Sequence, residues 1–197
     1  MHVTEPPRPT PRIVPVKFVV AGGFGVGKTT FVGAISEIDP LRTEAAMTSV
    51  STGVDDLTHV GAKTTTTVAM DFGRITVDAT LVMYLFGTPG QERFGFMWDD
   101  ICTGALGAVV LVDTRRIDQC FPAVDYFEAK GTPFVVGVNA FEGAPRFALE
   151  EVRDALGVGT HVPVLECDAR EKESVKQSLI TLLESLVAQA RAKEGVA

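Results

Sequence analysis

Glycines, a lysine and a threonine near the start of the chain have the types and the spacing to bind a polyphosphate. The segment GGFGVGKTT, residues 22–30, places Gly22, Gly27, Lys28 and Thr29 in the pattern G-x-x-x-x-G-K-[ST]. Glycines let the backbone wrap a phosphate closely, so that successive N–H groups point inward. Lys28 is expected to reach the β- and γ-phosphates, and the Thr29 hydroxyl to bind Mg²⁺. The residues predicted to bind a nucleotide here are Gly22, Gly25, Val26, Gly27, Lys28, Thr29 and Thr30.

The elements around this segment are typical of an α/β protein. Strands are predicted at residues 16–21, 65–77, 79–87, 105–113, 132–141 and 162–169, and helices at 28–38, 117–129, 148–156 and 171–193. A turn around Asp78 makes the second and third strands antiparallel, while the later apolar runs resemble strands covered on both faces. The pattern therefore predicts a three-layer α/β fold with a mostly parallel six-stranded sheet and one antiparallel strand.

Two segments fall outside this pattern. Residues 1–14 are rich in proline and are predicted to be a disordered tail, so that residues 15–193 form a single domain. Residues 39–66 show no clear period and are rich in Ser, Thr and Gly. A loop of this length inside a compact domain is usually functional or mobile.

Composition excludes several classes of protein. The net charge of −7 and pI near 5.0 argue against nucleic acid or an anionic membrane as a partner. The three cysteines, Cys102, Cys120 and Cys167, are far apart in the sequence. This spacing argues against a zinc site and favours reduced thiols in the core. No apolar run is long enough to span a membrane, no secretory signal is recognisable, and His2 and the C-terminal KEGVA exclude the common lipid anchors. We expect a cytoplasmic protein whose membrane association, if any, comes through partners.

The segment TPGQERF, residues 88–94, resembles the switch II loop of Ras-like GTPases. In that family the glycine amide meets the γ-phosphate and the glutamine orients the attacking water. The resemblance assigns Gly90 to the nucleotide site and Gln91 to catalysis.

The segment GVNAFEG, residues 137–143, stands where the guanine-reading N-K-x-D motif of that family stands. Asn139 fits the asparagine, Ala140 replaces the lysine, and Glu142 replaces the aspartate. A carboxylate at this place would accept hydrogen bonds from the guanine N1–H and 2-amino group, which adenine cannot supply.

The segment ECDAR, residues 166–170, resembles the third loop of the family, in which an alanine amide donates to guanine O6. Ala169 would be that residue, with Asp168 and Arg170 on either side of it. These three residues complete the predicted base site.

The magnesium site departs from the family pattern. Most Ras-like proteins carry an aspartate at the place of Gly87, and glycine cannot hold a metal. Asp71 on the neighbouring strand is the nominated replacement, although it could instead cap its strand or bind a backbone amide. Asp113 is a weaker candidate, since a carboxylate there often anchors a loop. The phrase T-x-x-x-D-F favours Thr67, then Thr66, as the switch I threonine that binds Mg²⁺.

Taken together, LFGTPGQERF, TTTTVAMDFG and VNAFEG resemble the bacterial Ras-like small GTPases of gliding motility and of the actinomycete conservon clusters. The resemblance covers residues from about 16 to 190 and implies a Ras-like G domain of the P-loop NTPase type that binds GTP or GDP with Mg²⁺. It also implies a roadblock/LC7-type activator and a sensor-kinase-like membrane protein as partners. No arginine stands beside Thr67, so slow intrinsic hydrolysis that a partner accelerates is expected.

Three functions remain open from the residues. The first is a GTP/GDP molecular switch with weak GTPase activity. The second is an interaction module that keeps its nucleotide and hardly cycles, which Gly87 and Ala140 favour and Gln91 disfavours. The third is a P-loop ATPase or kinase, although the doublet Arg115-Arg116 is the only arginine pair and no arginine-rich lid is present.

Overall fold

The computed structural model describes residues 12–39, 41–47, 66–90 and 92–195. Within these residues one sheet contains seven strands: β1 Val14–Ala21, β2 Leu41–Met47, β3 Thr66–Thr76, β4 Leu81–Gly87, β5 Gly107–Val112, β6 Phe134–Asn139 and β7 Val164–Cys167. The α-helices are α1 Lys28–Ile35, α2 Trp98–Cys102, α3 Phe121–Lys130, α4 Leu149–Leu156 and α5 Lys172–Glu194. The 3₁₀ helices Glu92–Met97 and Ile117–Cys120 lead into α2 and α3.

The strand order places the ends of five parallel strands at one edge of the sheet. The order is β2-β3-β4-β1-β5-β6-β7, with β3 antiparallel to both of its neighbours and β4, β1, β5, β6 and β7 parallel to one another. Strands buried on both faces need apolar side chains throughout, and every residue of β5 is buried. The segments that follow β1, β4, β5, β6 and β7 therefore meet at one edge, where the predicted motifs stand.

Helices cover both faces of the sheet. Val19 and Val20 are adjacent in β1 and point to opposite faces, as the two-residue period of a strand requires. On one face, α1 and α5 pack around Val20 and Leu111. On the other, α2, α3 and α4 pack around Val19 and Val110. This three-layer arrangement fixes β1 and α1, and hence the loop between them.

The predicted fold class is confirmed, with two additions. The mostly parallel sheet with one antiparallel strand is present, and β2 adds an edge strand within the segment that sequence patterns leave without a period. The short helix α2 was also not predicted. The helix α1 ends at Ile35, three residues early, because Ser36 is extended and its hydroxyl bonds to the carbonyl of Ile38.

Several expectations fall on other parts of the chain. Residues 1–11, in the predicted tail, and residues 40 and 48–65, in the predicted long loop, lie outside the described residues, while β1 already begins at Val14. Among the helices of the described ranges, none has the length and apolar character to cross a membrane.

Candidate functional site

The loop between β1 and α1 has the backbone conformation that its glycines predict. Gly22, Gly25 and Gly27 have φ values of 131°, 71° and 104°, a region that favours glycine. A Cβ atom on Gly27 would also lie only 2.6 Å from Nδ2 of Asn139. Both the conformation and the packing therefore require glycine at position 27, and α1 begins directly after it.

Lys28 is held inside this loop. Its side chain is buried, and Nζ donates hydrogen bonds to the carbonyl oxygens of Gly22 at 2.9 Å and Gly23 at 2.7 Å. Burial lowers the pKa of Lys28 to about 8, against the opposing effect of the Asp71 carboxylate. An ammonium group has three N–H donors, so one remains for a phosphate oxygen. A bound phosphate would also restore the charge that burial disfavours.

Thr29 and Asp71 form the contact that the sequence could only suggest. The Thr29 hydroxyl donates to Oδ2 of Asp71 at 2.6 Å, and Asp71 is buried. In the sheet, Phe72 pairs with Phe86, which sets Asp71 beside Gly87. A Cβ on Gly87 would lie 3.0 Å from Cβ and 3.1 Å from Oδ2 of Asp71. The Asp71 carboxylate thus lies next to the space that a side chain at position 87 would enter.

The oxygen atoms of this pair suit magnesium. Mg²⁺ prefers hard oxygen ligands and commonly keeps several waters while using one or two protein groups and the phosphates of its nucleotide. Thr29 and Asp71 supply one hydroxyl and one carboxylate. Over the described ranges, no group of three or more His, Cys, Asp or Glu side chains is placed to hold a metal ion. The donor set therefore fits a metal that arrives with a nucleotide.

The turn after β4 lies directly on the phosphate loop. A Cβ on Gly90 would meet Lys28 Nζ at 2.5 Å, the Gly23 oxygen at 2.8 Å and the Phe24 Cα at 2.9 Å. Only glycine allows this approach. The N–H of Thr88 donates to the Val20 carbonyl at 2.9 Å and fixes the start of the turn. The structure therefore brings Gly90 to the predicted γ-phosphate region.

Asn139 connects the phosphate loop to the loop after β7. Its Nδ2 donates to the Val26 carbonyl at 2.8 Å, and its Oδ1 accepts from the Ala169 N–H at 2.9 Å. The side chain is buried, so both bonds are shielded from water. The amide of Ala169 is thus already engaged, and it would have to share or exchange this bond to donate to a guanine O6.

The predicted base-reading side chains are more exposed. Glu142 lies in the turn after β6 and is exposed. The Asp168 carboxylate is the main cause that raises the pKa of Arg170, and the charge of Glu142 adds a smaller contribution. Arg170 binds Asp168 through two hydrogen bonds, of 2.9 and 2.7 Å. This side-chain pairing, followed by the Arg170 backbone N–H, lowers the pKa of Asp168 to about 2. Glu142, Arg170 and Asp168 therefore form a charged rim on the loops that follow β6 and β7.

A cavity of about 340 Å³ opens next to this rim, between the β6–α4 loop and the end of β7. Asn139, Phe141, Phe147, Glu166 and Asp168 are among its lining residues. Aromatic walls with a few polar groups are common in sites for small ligands.

Comparisons with known proteins agree with this geometry. Residues 20–189 match the protein family described as "Conserved hypothetical ATP binding protein". The chain belongs to this family. The uncharacterized protein MJ1339 of Methanocaldococcus jannaschii is 29% identical over 126 residues, which are 63% of this chain and 69% of that protein. The Ras-related protein SEC4 of Candida albicans is 25% identical over 66% of this chain and 67% of its own length.

Solved G domains share the fold. The cytosolic domain of the T. maritima FeoB iron transporter in a GDP form has a TM-score of 0.62 and 17% identity, covering 88% of this chain and 64% of that one. The G domain of the same transporter has a TM-score of 0.57 and 19% identity, covering 90% and 99%. The chain thus spans less than two thirds of the FeoB cytosolic domain. At these identities the likeness establishes the fold alone, which is that of a G domain. The family and the phosphate loop make it a nucleotide-binding G domain.

Most of the predicted site residues of this G domain come together at one edge of the sheet. Gly22, Gly25, Val26, Gly27, Lys28, Thr29, Thr30, Gly90 and Asp71 surround the phosphate loop, and Asn139, Glu142, Asp168, Ala169 and Arg170 lie at the ends of β6 and β7. Gln91 lies outside the described residues. Thr67 lies in β3, but its side chain is outside the described part of the chain.

Sequence reasoning favoured a loop-anchoring role for Asp113 after β5 but missed the contacts of the two arginines that follow it. Asp113, the weaker magnesium candidate, is instead bound by Arg115 at 2.9 and 2.8 Å, and its position anchors the loop. Hydrogen bonding from the Arg115 side chain is the main reason that the pKa of Asp113 lies below its ordinary value. The sequence shows the arginine doublet, but it does not show that the side chain of Arg116 points to the phosphate loop and that of Arg115 to Phe141.

Proposed function

We propose that the protein is a GTP/GDP molecular switch that hydrolyses GTP slowly alone and faster with a partner. The contact between Thr29 and Asp71, beside Gly87, supports this proposal most strongly. It supplies a buried carboxylate at the phosphate loop in a chain whose sequence lacks one at the usual position. A glycine-rich turn that binds no ligand does not require a buried carboxylate beside it.

Magnesium would be held by Thr29 and Asp71, with Thr67, the second residue of β3, as a further ligand. When bound, the metal would neutralise part of the negative charge of the nucleotide phosphates. Lys28 contributes a second positive charge, and the backbone N–H groups of the loop orient the phosphates. Gly90 packs against Lys28, since a Cβ on Gly90 would lie 2.5 Å from Nζ, and we assign its amide to sensing whether a γ-phosphate is present.

Hydrolysis would depend on Gln91, one residue after Gly90, which we assign to orienting the attacking water. A partner of the roadblock/LC7 type is our proposal for the activator, and a sensor-kinase-like membrane protein for recruitment to the membrane. An externally supplied positioning contact or arginine increases turnover by about 10³- to 10⁵-fold in related enzymes. We place the protein in the cytoplasm and expect only slow turnover from the isolated chain.

Guanine rather than adenine is proposed as the base, although the family description names ATP. Glu142 is the residue in favour, because it is an exposed carboxylate in the turn that follows Asn139, where the family motif carries an aspartate. A carboxylate accepts two hydrogen bonds from guanine, whereas the corresponding edge of adenine lacks those donors.

Displacement of fluorescent GDP from the magnesium-bound protein by unlabelled GTP or ATP tests the base assignment. We expect GTP to displace the probe at far lower concentration than ATP, and Glu142→Gln to narrow that difference. Glu128→Gln is the matched control, because Glu128 is exposed on α3 near Pro133, at the opposite end of β6. Equal displacement by ATP and GTP in the wild type would overturn the guanine assignment.

A module that retains its nucleotide and hardly cycles is the second candidate. The departures from the usual switch motifs at Gly87 and Ala140 favour it, and Gln91 disfavours it. Turnover of GTP with and without cell lysate separates the two functions. Stimulated phosphate release that Gln91→Leu abolishes supports the switch, and no release under either condition supports the module.

A further inference from the structure

Two neighbouring arginines after β5 share one buried carboxylate and then point to different loops. Asp113 is 3% exposed and binds Arg115 through Nε at 2.9 Å and Nη2 at 2.8 Å. Nη2 of Arg116 lies 3.5 Å from Oδ2 of the same carboxylate. The backbone N–H of Arg116 also donates to the Asp113 carbonyl at 2.9 Å. Asp113 therefore fixes the starting direction of both side chains.

Arg116 contacts the phosphate loop from outside. Its Nη2 donates to the Phe24 carbonyl at 3.4 Å, and a Cβ on Gly25 would lie 3.6 Å from the same nitrogen. The Phe24 carbonyl and the Gly25 N–H belong to one peptide unit. A cation on the carbonyl oxygen holds that unit in place and polarises its N–H, which makes it a stronger donor to a phosphate on the inner side.

Arg115 contacts the base end of the site. The centre of its guanidinium lies 4.1 Å from the centroid of the Phe141 ring, within the range of a cation–π contact. Phe141 immediately precedes Glu142 in the chain. The hydroxyl of Thr114 adds a bond to the Pro145 carbonyl at 3.0 Å. The segment 113–116 is thus tied to the phosphate loop on one side and to the β6–α4 loop on the other.

We propose that Asp113, Arg115 and Arg116 are positioning residues that couple the base loop to the phosphate loop and thereby set how long a nucleotide stays bound. This inference rests on the proposed function for its choice of guanine nucleotides. Arg116 acts through the Phe24–Gly25 peptide, and Arg115 acts through Phe141 on Glu142. Asp113 holds the two together, so a change at either loop is transmitted to the other.

The test measures release of fluorescent GDP during a chase with unlabelled nucleotide, and competition by GDP and inosine diphosphate. Inosine lacks the 2-amino group that Glu142 is proposed to bind. Arg116→Ala should release GDP roughly tenfold faster with an unchanged preference for GDP over inosine diphosphate. Arg115→Ala should reduce that preference roughly threefold. Asp113→Asn should show both effects.

Conservative variants separate positioning from general stability. Arg116→Lys should restore slow release, because a single donor to the Phe24 carbonyl suffices. Arg115→Lys should restore little, because lysine lacks the planar fork that binds Asp113 while stacking on Phe141. Arg191→Ala, an exposed arginine near the end of α5, is the matched control and should change neither readout.

Two results would overturn the inference. One is release of GDP from Arg116→Ala and Asp113→Asn at the wild-type rate. The other is that Arg115→Ala and Arg116→Ala accelerate GDP release equally and in proportion to their loss of thermal stability, while Arg116→Lys does not restore slow release. If ATP and ADP compete as well as GTP and GDP, the guanine switch fails. Release of ADP would still report on Arg116, so the two failures are distinguishable.

Discussion

At the phosphate end of the site, Lys28 is buried and bonded to two carbonyl oxygens of its own loop, whereas at the proposed base end Glu142 is exposed in a turn. The phosphate end is built mainly from backbone groups whose positions are fixed by glycines and by the β1–α1 junction. The base end is built from side chains on two separate loops that Asn139 links to the phosphate loop. Binding groups supplied by the backbone keep their geometry when neighbouring side chains change, whereas binding groups supplied by side chains do not. We therefore expect disruption of the phosphate end to have the larger effect.

Replacing Lys28 should cause the greatest loss. Lys28→Ala removes the buried ammonium that faces the phosphates, and we expect nucleotide affinity to fall by about 100-fold or more, as for the loss of hydrogen bonds from a charged donor. Equilibrium binding of fluorescent GDP measures this loss. Lys176→Ala on α5 is the control, since its ammonium contacts the exposed Glu173 on the same helix. An affinity for Lys28→Ala equal to that of the control would show that the loop does not bind phosphate.

Moving the carboxylate from Asp71 on β3 to position 87 on β4 should have the second largest effect. Asp71→Gly should weaken the magnesium-dependent part of nucleotide affinity roughly tenfold, a typical cost of losing a group that supports a metal. Gly87→Asp in that background should recover much of the loss. Gly87→Asp alone should destabilise the fold, because its Cβ would lie 3.0 Å from that of Asp71.

Nucleotide titrations with magnesium and with a chelator measure the first two effects, and thermal unfolding measures the third. With the chelator, wild type and Asp71→Gly should bind alike. Unchanged magnesium dependence in Asp71→Gly would remove Asp71 from the metal site.

Raising the pH should weaken binding through Lys28 by a smaller factor. Its pKa is about 8 in the nucleotide-free protein and rises when a phosphate binds, so above pH 8 the bound state holds more protons than the free state. Affinity therefore falls as pH rises through 8, by about fourfold between pH 7 and pH 8.5.

Calorimetric titration at pH 8.5 in two buffers of different ionisation enthalpy should show proton uptake on binding. Lys28→Arg is the control, because arginine stays charged and its binding should vary little over this range. Binding by the wild type without proton uptake at pH 8.5 would contradict the burial of Lys28.

Breaking the ion pair at the base end should have the smallest effect. The partner Arg170 has a 62% exposed side chain, so solvent screens its attraction to Asp168. Asp168→Asn should change GDP affinity by less than about threefold. The same competition assay checks this, and a loss as large as that of Lys28→Ala would show that the base end carries as much of the binding as the phosphate end.

Sequence patterns predicted the phosphate loop well because its chemistry depends on residues that are adjacent in the chain. The glycines, Lys28 and Thr29 all lie within one turn and one helix start, and the positive φ values of Gly22, Gly25 and Gly27 are ones that glycine readily adopts. Asp71 was also within reach of sequence reasoning, since the antiparallel pairing of β3 and β4 brings it beside Gly87. The remaining question was its partner, and only the packing of α1 on β3 identifies Thr29.

Other features depend on tertiary structure and left little signal. The edge strand β2 has the sequence LRTEAAM, in which alanine and glutamate are poor strand formers, and among the described strands it pairs with β3 alone. The opposite directions of Arg115 and Arg116 are set by loop geometry rather than by residue type. The second role of Asn139, as a link between two loops, likewise depends on the approach of Val26 and Ala169.

The contact between Asp71 and Thr29 has a consequence for how such chains diverge. Either of two neighbouring strands can place a carboxylate at nearly the same point. The acidic residue can therefore change its position in the sequence while the site keeps its carboxylate. A descendant with aspartate at position 87 and glycine at position 71 would carry an equivalent site. The two proteins would then share a function without sharing the motif by which it is usually recognised.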